Sequence, residues 1–215
     1  MRWEAARQAA QNALLEEQLR LSDIDEKTGI YNRRAFCRQT SKMLRDNPGT
    51  RYVLVRWDID RFKVFNDIFG IAAGDRFLAG ISDTYRKLAS PAMVYGHWEA
   101  DHFVMCMPQD MFTDAQVAAK AKWPMTAESE EYDFSVRMGV YFVEDTTLDV
   151  SLMCDRAFLA LRSIKNNYTV HVAYYDDSMR AAMIEEQRIV SEMDTALEQG
   201  QFVVYLQPQC NYVAG

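Results

Sequence analysis

Apolar positions along the chain switch repeatedly between a period near two and a period near 3.6, and the switches outline alternating strands and helices. Tyr52 to Trp57, Met93 to Trp98, Phe103 to Met107, Asp133 to Phe142 and Thr169 to Tyr175 are short runs rich in β-branched and aromatic residues, which predict strands. Ala35 to Leu44, Thr113 to Lys122 and Leu152 to Ile164 carry helical patterns, as does the stretch that follows Gly74-Asp75, where Phe77, Leu78, Ile81, Tyr85 and Leu88 share one face. Arg61 to Gly70 is a shorter helix-like stretch closed by glycine. The order β-α-α-β-β-α-β-α-β folds most simply as an α+β domain with a central, mainly antiparallel five-stranded sheet and helices on its faces.

Both flanks differ from this pattern. Residues 1–22 are strong helix formers with a thin stripe of Ala6, Ala9, Ala10, Leu14, Leu15 and Leu19. That stripe suits the end of a coiled-coil connector, and so a homodimer through this helix; packing on its own domain is the alternative. Residues 178–199 form a further helix, and Phe202 to Gln209 resembles a strand that cannot bury itself alone. The organisation expected is therefore a connector helix over 1–24, a domain over 25–176, a linker helix over 177–200 and the first residues of a second domain over 201–215. Docking of the last strand on the first domain is the other reading.

Composition narrows the function. At 49% hydrophobic, the 215 residues suffice for a well-buried domain. A net charge of −7 argues against a general nucleic-acid surface but leaves room for a local basic pocket. Cys37, Cys106, Cys154 and Cys210 are widely spaced with no CxxC pair, so neither a disulfide framework nor a zinc site is expected. No apolar run approaches the roughly 20 residues that span a bilayer. A cytoplasmic segment without membrane contact is the expectation, although a parent protein can carry a membrane sensor elsewhere.

Two places carry candidate chemistry. The first strand delivers Asp58-Ile59-Asp60 at its C-terminal end, where acidic side chains can enter a cleft. Glu99-Ala100-Asp101-His102 has the length of a hairpin loop between two apolar strands, and is presented rather than buried. With Asp25-Glu26-Lys27-Thr28-Gly29-Ile30-Tyr31-Asn32-Arg33-Arg34, Asp58-Ile59-Asp60-Arg61-Phe62-Lys63-Val64-Phe65-Asn66-Asp67 and Gly74-Asp75 in that order, residues 25–176 resemble the GGDEF family of diguanylate cyclases.

The resemblance implies a nucleotide-cyclase palm in which two GTP-loaded domains face each other and each 3′-hydroxyl attacks the other's α-phosphate, with Mg²⁺ neutralising the triphosphate. It makes Asp58, the Ile59 carbonyl and Asp101 the metal ligands. Phe62, Lys63 and Arg162 would lie beside the phosphates, and Asn66 and Asp75 would hydrogen-bond the guanine edge. The bland alternative has Asp58 and Asp60 capping a helix and Asn66 facing solvent.

The signature hairpin departs from the family. Its two glycines, which let nucleotide approach the backbone, are Glu99 and Ala100; the third position keeps an acid, Asp101; the fourth-position glutamate is His102; Phe103 remains. Asp101 and His102 are thus vestigial candidates for catalysis. The family's later A-K-x-x-G-R-N pattern falls on Leu161 to Asn167, with Arg162 for its lysine and Asn166 for its arginine, and Lys165 reads as a solvated lysine. Its product-inhibition arginine and aspartate fall on Ser90 and Met93. The segment from Asp194 to Gln209 resembles the opening of an EAL phosphodiesterase domain.

Three functions follow. The leading one is a catalytically inactive GGDEF domain that regulates an attached EAL domain and binds GTP as an effector. An active cyclase tolerating an unusual hairpin and a pure dimerisation module stay open beside it.

Overall fold

The computed structural model describes residues 23–88, 90–113, 122–127, 130–165, 167 and 169–208. The connector helix expected over 1–22 lies outside them. The elements, in order, are α1 (Arg33–Asp46), β1 (Tyr52–Ile59), α2 (Phe62–Phe69), α3 (Ile71–Leu88), β2 (Val94–Glu99), β3 (His102–Pro108), β4 (Lys122–Ala127), β5 (Glu130–Val143), α4 (Val150–Ser163), β6 (Val172–Tyr174) and α5 (Asp177–Glu198).

Local chemistry sets the ends of these elements. The Asn32 side chain accepts from the Ala35 N–H and starts α1, and Asp149 caps α4 by accepting from Ser151. Gly70, at φ 81°, ends α2 with its N–H on the Asn66 carbonyl, 2.9 Å away. The turn between β1 and α2 is forced through Arg61 at φ 58°, a left-handed conformation unusual for a residue with a side chain.

The strands form one sheet in the order β2-β3-β1-β5-β4, antiparallel at each of these steps, with β6 joining β5 in parallel. The mainly antiparallel sheet with flanking helices is therefore present, with six strands where five were expected. The added strand is β4. Most of the helix expected over Thr113 to Lys122 falls on residues outside the description, but Lys122 itself opens β4, because it pairs with Ser135 on a β5 longer than its apolar run suggested. The second helix begins at Ile71, so Gly74 and Asp75 lie inside α3 rather than before it.

Alternation along β1 divides the core into two layers. Val53, Val55, Trp57 and Ile59 pack with α2 and α3 through Phe62, Phe65, Phe77 and Ile81. Trp57 and Phe103 stack there at 4.5 Å between centroids and 8° between planes, a contact that adds about 1 kcal/mol to the area they bury. Tyr52 and Leu54 point the other way, into α1 and α4, among Phe36, Leu44, Met153 and Ala157. Period-two alternation then places Arg56 and Asp58 on the α4 side.

The chain divides into two compact units between Asp176 and Asp177. In the second, α5 exposes Ile189, Met193 and Leu197 at four-residue spacing, and Arg188 pairs with Glu185 and Glu192. The strand expected at Phe202 to Gln209 is absent over 201–208, which are exposed and unpaired with any described strand; Gln209 lies outside the description. None of the described helices is long and apolar enough to cross a membrane.

Candidate functional site

A cavity of about 530 Å³ opens where the end of β1, the start of α2, the β2–β3 hairpin and the C-terminal half of α4 meet. Asp58, Ile59, Phe62 and Lys63 line it from the β1–α2 turn, Asp101 and His102 from the hairpin, and Phe158, Arg162 and Lys165 from α4 and its end. Seven residues that the sequence singled out thus share one wall. Lys165, which reads as a surface lysine, is exposed but stands on the same cavity.

Other singled-out residues lie elsewhere. The Asn66 Oδ1 is buried without a hydrogen-bond partner, against Gly74, where an added Cβ would come within 1.9 Å of it. The side chain is therefore half-buried at the α2–α3 junction and does not face solvent. Asp75 is half-exposed and paired with Lys27 at 2.9 Å. Phe103 belongs to the core on the far side of the sheet from α4, and neither Glu99 nor Ala100 lines the cavity.

At the hairpin, Ala100 and Asp101 form a two-residue turn between Glu99 and His102, which pair across it. Ala100 sits at φ 49°, so the left-handed backbone that suits glycine is kept although glycine is not. Ala100→Gly should therefore raise stability by about 0.5–1 kcal/mol, seen as a higher urea midpoint at unchanged slope. Glu99, 68% exposed, lies 3.5 Å from the buried Arg56 guanidinium, which is itself sandwiched between Trp98 and Phe158 at 4.9 and 4.2 Å. The His102 ring meets Phe158 edge-on at 5.8 Å, and its Nδ1 is buried without a partner.

Sequence reasoning missed Arg137. It lies directly opposite Asp58 in the β1–β5 register and is 7% exposed. Its Nε is 3.6 Å from Asp58 Oδ1, one terminal nitrogen donates to Asp60 Oδ1 at 2.9 Å, and the other donates to the Lys165 carbonyl. Burial pushes the Asp58 carboxyl above the usual range, and the Arg137 charge opposes that rise. A signal existed: Arg137 is the one charged residue within the apolar run Phe134 to Val143.

His97 was also missed. Its Nδ1 is 3.0 Å from Asp25 Oδ1 and its Nε2 is 2.9 Å from the Ala100 carbonyl, so the loop from Asp25 to Asn32 buttresses the hairpin from behind. Partial burial opposes ionisation of Asp25, but hydrogen bonds from Thr28 and contact with His97 outweigh it and hold the carboxyl below the ordinary aspartate value of 3.8. A folded value below the unfolded one stabilises above the unfolded value and is lost as pH falls through the folded one. Asp25→Asn should thus flatten the loss of stability on the acid side of about pH 4, measured by urea midpoints down to about pH 3.

These motifs have a family. The sequence matches that of the diguanylate cyclase GGDEF domain over residues 22–170. This chain belongs to the GGDEF family. The GGDEF domain is 25% identical over 169 residues to the probable diguanylate cyclase DgcE of Escherichia coli K12, covering 75% of this chain and 15% of that protein. It is 23% identical over 211 residues to the cyclic di-GMP phosphodiesterase PdeB of Shewanella oneidensis, covering 94% of this chain and 24% of that protein. The chain thus spans a quarter or less of the length of these relatives. Among solved structures, the coiled coil and GGDEF domain of Caulobacter crescentus DgcB in complex with c-di-GMP shares the fold at a TM-score of 0.63 and 22% identity, over 80% of this chain and 95% of that one.

The GGDEF reading brings a Mg²⁺ requirement that can be tested against the residues present. Asp58 Oδ1 and Arg137 Nε are both closed to solvent and face each other at 3.6 Å as an ion pair, and neither has a hydrogen-bond partner. Among the described residues no three His, Cys, Asp or Glu side chains are grouped to hold a metal ion. As arranged, the donor set does not fit a divalent ion.

Proposed function

We propose that this GGDEF domain is degenerate: it does not synthesise cyclic di-GMP, binds GTP as an effector in the cavity, and regulates an EAL phosphodiesterase domain on the same parent protein. The hairpin carries the proposal. Joining two nucleotides requires a close backbone approach at the hairpin, charge neutralisation at the α-phosphate and a path for the hydroxyl proton. Glu99 and Ala100 add side-chain atoms where the family has none, and the cavity receives only Asp101 and a histidine from the hairpin.

Binding is favoured by charge. On a chain of net charge −7, Arg61, Lys63, Arg137, Arg162 and Lys165 line the cavity against two carboxylates among the described residues, Asp58 and Asp101. Triphosphate oxygens accept from such cations with charge-assisted hydrogen bonds. The similarity to PdeB runs across 94% of the chain, beyond the GGDEF match and into the linker helix, and supports a phosphodiesterase as the regulated domain. The exposed apolar row of α5 supplies a surface for that coupling, and the apolar stripe in the sequence of residues 1–22 suits dimerisation.

Calorimetry should give a GTP dissociation constant below about 1 mM, weakened roughly tenfold by Lys63→Ala or Arg162→Ala. Incubation with Mg²⁺ and GTP should yield neither pyrophosphate nor cyclic di-GMP. Appearance of either product would refute the loss of synthesis, and no binding at about 1 mM would refute the effector role.

A further inference from the structure

We propose that the Arg137 guanidinium is a resident cation that takes the place of a divalent metal in this cavity, so the site binds a phosphorylated anion free of metal. The part concerning nucleotide rests on the effector reading above; the exclusion of metal does not.

The guanidinium meets three separate acceptors: the Asp58 carboxylate at the end of β1, Asp60 in the turn that follows and the Lys165 carbonyl just past α4. The carboxylates are anchored as well, because the Asp60 N–H donates to the Ser135 carbonyl at 2.8 Å and Asp58 pairs with Arg137 in register. Arginine stays protonated in proteins, so this charge cannot be removed to admit a competitor.

Magnesium asks for something different. It takes oxygen ligands at about 2.0–2.1 Å in near-octahedral geometry and keeps several of its waters. An ion on Asp58 would have to share that side chain, 12% exposed, with a like-charged guanidinium. Displacing the guanidinium would break its bonds to Asp60 and Lys165 and leave a largely buried charge without its partners, which is unfavourable. Among the described residues Asp101 is the one other carboxylate on the cavity wall, and Asp58 is already committed to the guanidinium.

Arg137 also lines the cavity itself. Its charge is therefore available both to the carboxylates and, with Lys63, Arg162 and Lys165, to an incoming phosphate. What a metal does for a triphosphate, neutralise and orient its oxygens, these side chains supply directly.

The test has two arms on the unmodified chain. Titration with Mn²⁺ followed by electron paramagnetic resonance, without nucleotide, should show no bound ion up to about 1 mM, whereas Arg137→Ser should acquire a site that Asp58→Asn removes again. A site in the unmodified chain that Asp58→Asn abolishes would overturn the proposal. Calorimetry with GTP in excess EDTA and in excess Mg²⁺ should give dissociation constants within about threefold; a more than tenfold tightening by Mg²⁺ would overturn it. Silence in both calorimetric conditions, with Mn²⁺ still excluded, would refute the effector reading and uphold the exclusion of metal. Should Arg137→Ser fail to fold, the two measurements on the unmodified chain still decide.

Discussion

Arg137→Met should destabilise the domain by about 3–5 kcal/mol and lower its melting temperature by roughly 10 °C. The physical reason is asymmetry. A buried ion pair adds little net stability over a well-packed apolar pair, but removing one member leaves the other charge uncompensated. Here the orphans would be Asp58 and Asp60, both largely withdrawn from water, since their side chains are 12% and 18% exposed. The Lys165 carbonyl would lose its donor too. Pairing Arg137→Met with Asp58→Asn should recover part of the loss, because a neutral amide is cheaper to bury than a carboxylate. Arg137→Lys should fall between, with the charge kept and the three-way fork lost. Thermal and urea melts of the four proteins measure the ordering, and a double variant no more stable than Arg137→Met alone would contradict it.

Gly139→Ala is expected to cost more than about 4 kcal/mol, or to prevent folding. A Cβ at this position would stand 2.0 Å from the Ala157 carbonyl oxygen and 2.4 Å from the Leu161 nitrogen, both backbone atoms of α4. Flexible side-chain ends can yield; the backbone of a packed helix cannot without moving as a whole. The same helix carries Phe158, Leu161 and Arg162 to the cavity, so any protein that folds should also bind GTP less tightly. Gly80→Ala is the control. It lies within α3 with nothing inside 4 Å of an added Cβ, and should be neutral or stabilising by up to about 1 kcal/mol.

Both substitutions lie on β5, a strand whose sequence reads as little more than apolar. The pattern from Asp133 to Phe142 predicts a strand and its buried face correctly. Partner strands are not local information, however. That Arg137 faces Asp58, 79 residues away by their numbers, follows from β5 lying antiparallel beside β1, and no periodicity in either segment specifies that pairing. The same limit explains β4: Lys122 to Ala127 contains a proline and a polar edge, signals against a strand, and β5 pairing overrides them. At Phe202 the failure runs the other way, since a β-prone run forms no strand among the described residues without a neighbour to pair with.

What the sequence determined by itself was local or motif-borne. Hydrophobic period marked α1, β1 and α4 to within a few residues, and the ordered GGDEF motifs identified the fold family and seven residues of one cavity wall. Tertiary structure alone decided what those residues face. It turned the Asn66 oxygen against Gly74, tied Asp75 to Lys27, set Glu99 beside Arg56 and placed an arginine between Asp58, which the motif marks for metal, and Asp60. A motif records which side chains occur at given spacings along the chain, whereas the charge balance of a site depends on every strand and helix that closes over it.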